Sequence, residues 1–402
     1  MAAPAQIALR PEHLVHIPAV AAALEWLRSH ESWIVEQQIR LTEIPAPPFA
    51  EANRARAFRD LLVQAGWKPE MDATGNVVVE SRGSVSKAVL LSAHLDTAIA
   101  PDRPVRVEQQ GTRLMAPGIS DNGAGLAALA AVAWAFRAAG LKTWFSVLFA
   151  ANVGEEGEGN LRGMRALVGR YRRRMEAAIV VDGPSVARIT TVAVASRRLE
   201  IALRGPGGHS WANDGVPNPI HALGRTIARI GAIPLPRRPR TTLSVGVIEG
   251  GEAVNAVPSR AAMKIDLRSE SEAELDRLEQ EVRRAVERGA LAEREARRRD
   301  CPALKVEFRV LGSRPGGRLA SNAPLLRAIR DADRFLGLQA ETEAASTDAN
   351  IPLSLGIPAI AIGGVGNGNG AHTAQEWYDA TGRTTGLERI LLTLLLVAKP
   401  VV

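Results

Sequence analysis

One cysteine, Cys301, is the whole thiol content of the 402-residue chain. A lone thiol forbids an intrachain disulfide and any zinc cage built from cysteines, and it fits a reducing compartment. The opening residues, MAAPAQIALRPEHLVHIP, lack the basic start and apolar core of a secretory signal. No apolar run reads as long enough to cross a bilayer, which takes about 20 residues. A cytoplasmic location is the expectation. Aromatics are scarce at 4%, and few of them interleave the basic runs at 170–174 (RYRRR) and 294–299 (REARRR). The net charge is +7, but acidic residues are almost as numerous as basic ones. The expectation is therefore no nucleic-acid and no membrane partner, with the basic runs as solvated helix faces.

What is present is a globular composition, 46% apolar and 23% charged, long enough for two or three domains. Residues 18–41 place Val20, Leu24, Leu27, Ile34 and Ile39 at helical spacing, which predicts one amphipathic helix. The prolines of IPAPP (44–48) end it. A second helix over 51–65 stops at Gly66. Strands are predicted at 76–80, 88–92, 144–151 and 178–181, with a small hairpin at 105–115 turning at Gly111. Residues 125–139 read as a small-residue helix, apolar nearly all round and hence buried. This alternation predicts an α/β fold, a mixed and mostly parallel sheet flanked by helices. Ligands of such sheets gather beyond the carboxyl ends of strands, where His94, Glu155 and Asp182 fall.

The order of elements changes after Pro184. A strand at 191–203, a helix at 219–230, strands at 241–249 and 259–267, a helix at 271–288 and a strand at 304–310 follow. Ser271 and Glu274 have capping-box spacing at that helix start. Two helices against four strands predict an α+β domain, 188–312, inserted into a domain formed by 1–187 and 313–402. The latter gains a helix at 324–336, a strand at 359–362 and a closing helix at 387–397.

The stretch 88–159 concentrates the chemistry. His94 and Asp96 lie two apart at a strand end, a spacing that suits a histidine ligand oriented by a carboxylate, although such pairs also serve structure alone. Asp121 in SDNGAG precedes a helix and would serve as its N-cap. Alternatively Gly118, Gly123 and Gly125 let the backbone crowd an ion that Asp121 holds. Glu155 and Glu156 are adjacent, so their side chains diverge. One can ligate a metal while the other faces a water as general base; a solvated acidic loop is the plain reading. Asp182 in VVDGP offers another oxygen ligand or a turn former. His372 sits in a glycine-rich loop with no packing periodicity. Two histidines and three carboxylates can serve two zinc ions if one carboxylate bridges. His13, His16, His30 and His221 carry no such pattern.

In their order, SAHLDT (92–97), SDNGAG (120–125), GEEGEG (154–159), VDG (181–183), GGHS (207–210) and AHT (371–373) resemble the motifs of the dinuclear zinc exopeptidases. That family includes peptidase T, glutamate carboxypeptidase, succinyl-diaminopimelate desuccinylase and aminoacylase. The resemblance runs from about residue 39 to the end. It implies that His94 and Asp182 hold one zinc, that Glu156 and His372 hold the other, and that Asp121 bridges them. Cobalt or manganese are alternatives. Asp96 would orient His94, and Glu155 would move a proton from water to the leaving amine. A cis peptide between Asp121 and Asn122 is also implied. The inserted domain resembles the family's lid, which usually forms a homodimer. There His209 would reach a partner's site and polarise the scissile carbonyl, while Asn255 and Arg268 would bind the substrate's amide and carboxylate. Asp182 at its ligand position resembles aminopeptidase- and dipeptidase-like members, and 346–366 looks most like peptidase T relatives. Asp348 falls in that stretch without an assigned mechanism. The expected function is hydrolysis of a short peptide or N-acyl amino acid by metal-activated water. The alternatives are an N-carbamoyl or acyl amidohydrolase, or a non-catalytic metal- and peptide-binding relative.

Overall fold

The computed structural model describes residues 9–99, 105–297 and 301–401. Residues 1–8 of the N-terminal segment, 100–104 of the central stretch, and Arg298 and Arg299 of the second basic run lie outside them. The chain divides into two compact units, residues 1–193 with 318–402, and residues 194–317.

The first unit is a mixed α/β structure. At its centre four parallel strands lie side by side: Phe145–Asn152, Val85–His94, Met175–Val181 and Ala359–Ile362. Val77–Ser81 joins one side antiparallel and Arg188–Ala193 the other. The runs AVLL and VLFAA are buried in full, as parallel strands covered on both faces must be. Helix Gly125–Ala138 packs on the two central strands with few side chains larger than alanine exposed. One expectation fails here. The 20 residues Ile119–Ala138 are by length and composition apolar enough to cross a membrane, yet 89% of their most apolar window is buried inside the unit.

The second unit is antiparallel, with Thr241–Gly250, Arg260–Ser269, Ala195–Arg204 and Lys305–Arg314 in that sheet order. Helices Pro219–Gly231 and Glu272–Glu295 pack on it around a separate core that includes Leu199, Ile201, Met263, Ile265, Leu278 and Val282. Ser271 caps the longer helix, its Oγ accepting the Glu274 N–H at 3.4 Å. A short ribbon pairs Gly208–His209 with Ala256–Val257.

Several elements differ from expectation. The single helix at 18–41 is two, Pro18–Ser29 and Glu31–Glu43. His30 leaves the helical region because its Nδ1 sits 2.9 Å from the Trp26 carbonyl oxygen, while the Ser29 hydroxyl donates to the Glu25 carbonyl. The strand at 191–203 is also two, Arg188–Ala193 in the large sheet and Ala195–Arg204 in the smaller one. The helix predicted to end at Arg288 continues two turns to Glu295. Gly289 does not stop it. It packs against Thr226, where an added Cβ would lie 2.1 Å from Oγ1. Helix Arg162–Tyr171 was not foreseen, and the first basic run begins on it.

Candidate dinuclear metal centre

Four chain segments deliver acidic or imidazole side chains to the carboxyl end of the parallel strands, and a fifth brings a histidine from a loop. His94 ends its strand, Asp182 directly follows Met175–Val181, and Glu155 and Glu156 come three and four residues after Asn152. Asp121 lies in the turn Ile119–Ala124 before the core helix, and the Asp121–Asn122 peptide is cis, as the resemblance implied. His372 sits in the loop between Asn367–Asn369 and Trp377–Asp379. The glycines of the turn make room for protein rather than for an ion. A Cβ at Gly118 (φ 77°) would meet Thr97, one at Gly123 Thr42, and one at Gly125 Asn122.

The side chains form three groups whose ligand atoms lie within 4.8 Å of one another: His94, Asp121 and Asp182; Asp121, Glu156 and His372; and His94, Glu155 and Glu156. Asp121 is divided between the first two. Its Oδ1 is 3.1 Å from His94 Nε2, and its Oδ2 is 3.2 Å from His372 Nε2. Asp182 Oδ1 completes the first group at 3.6 Å from His94 Nε2, and Glu156 Oε1 the second at 2.7 Å from His372 Nε2. His94, Glu155 and Glu156 are buried, while the His372 side chain is 53% exposed and forms the mouth.

Charge crowding shows in the titration of these groups. Burial works against a proton on His94, but the hydrogen bonds of Asp121, Asp182 and Asp96 outweigh it and raise the ring well above its ordinary value. His372 is raised to about 10 by hydrogen bonds to Asp121 and Glu156. Burial opposes ionisation of Asp121, yet His372 and His94 hold it below the usual carboxylate range. Carboxylates and imidazoles this close, with one carboxylate turned to both histidines, are a donor set that fits two divalent cations.

The supporting residues are more specific than the sequence suggested. His94 Nδ1 meets the backbone oxygen of Asp96 at 3.0 Å and its carboxylate at 3.5 Å. That carboxylate instead accepts the N–H groups of Glu155 (3.0 Å) and Glu156 (2.7 Å), so Asp96 orients His94 mainly through its main chain and the glutamates through its side chain. Arg54, wholly buried, donates to the Leu95 carbonyl (2.7 Å) and the Thr97 hydroxyl (2.8 Å) on either side of Asp96. Asp348 lies behind the site, its Oδ2 accepting from Asn152 Nδ2 at 2.6 Å. Burial, opposed by His94 and Asn152, pushes it up to about 7. Sequence reading missed Arg54, Asn152 and Glu376. Only Asn152 left a signal, as a polar residue ending an apolar strand.

The remaining candidates lie in the second unit. His209, within the short ribbon, and Asn255, directly before its second strand, are exposed, the Ser210 N–H donating to the Asn255 carbonyl at 2.9 Å. His209 Nδ1 accepts the N–H groups of Trp211 (3.1 Å) and Ala212 (3.4 Å), which places the proton of the neutral ring on Nε2. Arg268 Nε donates to Asp266 Oδ2 at 2.7 Å.

Comparison with known proteins agrees with this architecture. A tripeptidase of Staphylococcus aureus superposes with a TM-score of 0.76 at 19% identity, over 92% of this chain and 99% of that one. Aminopeptidase PepT of Bacillus cereus gives 0.74 at 20% identity, again over 92% and 99%. In sequence, an acetylornithine deacetylase of Myxococcus xanthus is 28% identical over 376 residues, 90% of this chain and 93% of the relative. The model of peptidase family M20/M25/M40 matches residues 90–395, well over half of the chain, and the chain belongs to that family of metal-dependent peptidases and amidohydrolases.

Proposed function

We propose that this protein hydrolyses the amide bond of a small substrate, a short peptide or an N-acyl amino acid. The observation that carries this is the division of Asp121 between His94 and His372, which presents two adjoining donor groups rather than one. His94 and Asp182 would hold one cation and Glu156 and His372 the other, zinc by the donor set, with cobalt or manganese able to replace it. When bound, two such cations supply Lewis acidity to the scissile carbonyl and to an attacking water. Glu155 is needed by neither donor group that shares Asp121. Its main chain is tied to Asp96, which supports a role in which it would accept the water's proton and pass it to the departing amine. The acetylornithine deacetylase relative keeps N-acyl amino acids in the substrate range beside peptides.

Residues 194–317 would act as lid and dimer contact. The Nε2–H of His209 suits donation to a carbonyl oxygen in a partner chain's site, with Asn255 beside it. Among the described residues Arg268 uses only Nε on Asp266, leaving its Nη groups for a substrate carboxylate. The test of the reaction is Glu155→Gln, assayed on dipeptides, tripeptides and N-acetyl amino acids. It is expected to retain about two metal ions per chain while kcat falls at least about a hundredfold. Turnover at the wild-type rate would overturn the assignment, and metal loss would make Glu155 a ligand instead.

A further inference from the structure

The segment that begins at His372 reaches a second acidic side chain, Glu376, that belongs to neither donor group. It is 2% exposed. Its carboxylate accepts four hydrogen bonds, all from one turn. Oε2 takes the Gly118 N–H at 2.6 Å. Oε1 takes the Ser120 N–H at 2.8 Å, the Ser120 hydroxyl at 2.7 Å and the Asp121 N–H at 2.8 Å. The main chain follows suit, the Ala116 N–H donating to the Glu376 carbonyl at 3.1 Å. No cation pairs with this carboxylate among the described residues. Three converging N–H dipoles and one hydroxyl hold the buried charge. One of those dipoles belongs to Asp121, whose own carboxylate is divided between the two histidines.

We propose that Glu376 is a positioning residue for the metal centre, holding Asp121 in the orientation that turns one oxygen to each donor group. The inference rests on the metal reading above. It differs from an ordinary turn staple in what its loss should change. Glutamine keeps the size and removes the charge, but whichever way the amide turns, its NH2 faces N–H donors, Gly118 on one side or Ser120 and Asp121 on the other. The turn must then shift, and Asp121 with it. A staple alone would cost stability and leave the metal site as it was.

The experiment titrates chelator-stripped, full-length wild type and Glu376→Gln with cobalt(II), recording the binding isotherm and visible spectrum with the unfolding midpoint alongside. The variant is expected to bind cobalt at least about tenfold more weakly, with a shifted visible band. When reloaded, it should lose kcat with KM nearly unchanged. A wild-type isotherm and spectrum in the variant would overturn the proposal, whatever the unfolding midpoint does. If Glu376→Gln does not fold, Ser120→Ala decides. It removes one donor of four and should weaken cobalt binding about twofold to tenfold, the scale of one hydrogen bond; unchanged binding there overturns the proposal as well. Wild type that takes up no cobalt would instead refute the metal reading itself.

Discussion

His94 and His372 must be neutral to act as ligands, and the structure gives both rings strong reasons to keep a proton. Burial alone would strip His94, but Asp121, Asp182 and Asp96 surround it, and Asp121 and Glu156 raise His372 to about 10. The raised value of His372 contributes stability to stripped protein that is fully present below about 6.5, the ordinary histidine value, and is lost as pH rises through about 10; His94, raised in the same direction, adds to it. Metal must displace those protons. Loading at pH 7 is expected to release about two protons per chain, and apparent metal affinity should climb as pH rises toward 10. Calorimetric titration in buffers of different ionisation enthalpy gives the count, and a count near zero would remove both rings from the donor set. At this scale the sequence was most legible where a polar side chain ends an apolar run without a packing reason, as at His94, Asp182 and the two glutamates. Glu376 and Arg54 were invisible because they act on backbone groups far away in the chain, which leaves no periodic trace.

Among elements, hydrophobic spacing located the strands and the core helix closely but misjudged where they stop. His30 interrupts a pattern that is apolar on both sides of it, because a local side-chain bond competes with the helix. Gly289 reads as a terminator by propensity, whereas helix-to-helix packing at Thr226 requires a residue without Cβ. The capping serine was legible since its bond is local. Ser271→Ala should destabilise the unit 194–317 by about 1 kcal/mol, measured by urea unfolding with exchange of the helix amides. An unchanged midpoint would mean that the Glu274 N–H finds another acceptor.

Each of the two units buries hydrophobic residues of its own, and the strand read as one piece at 191–203 shows why their boundary was hard to place. Alternating apolar residues announce a strand without naming its sheet, and residues 188–193 and 195–204 satisfy the same pattern in different sheets. The homodimer proposed through the second unit has a direct test. His209→Ala and Glu155→Gln should each be inactive alone, and verified mixed dimers of the two should regain part of the wild-type rate. Mixed dimers with no recovered turnover would count against a cross-chain role for His209. The insertion also sets an order of assembly. Strand Ala359–Ile362 completes the parallel centre beside Met175–Val181, and His372 follows it, so both leave the ribosome after residues 194–317. The inserted unit has all of its strands and can close first. Glu156 and His372 therefore cannot meet until the stretch after the inserted unit has been made, so the group they form with Asp121 is the later of the two to assemble.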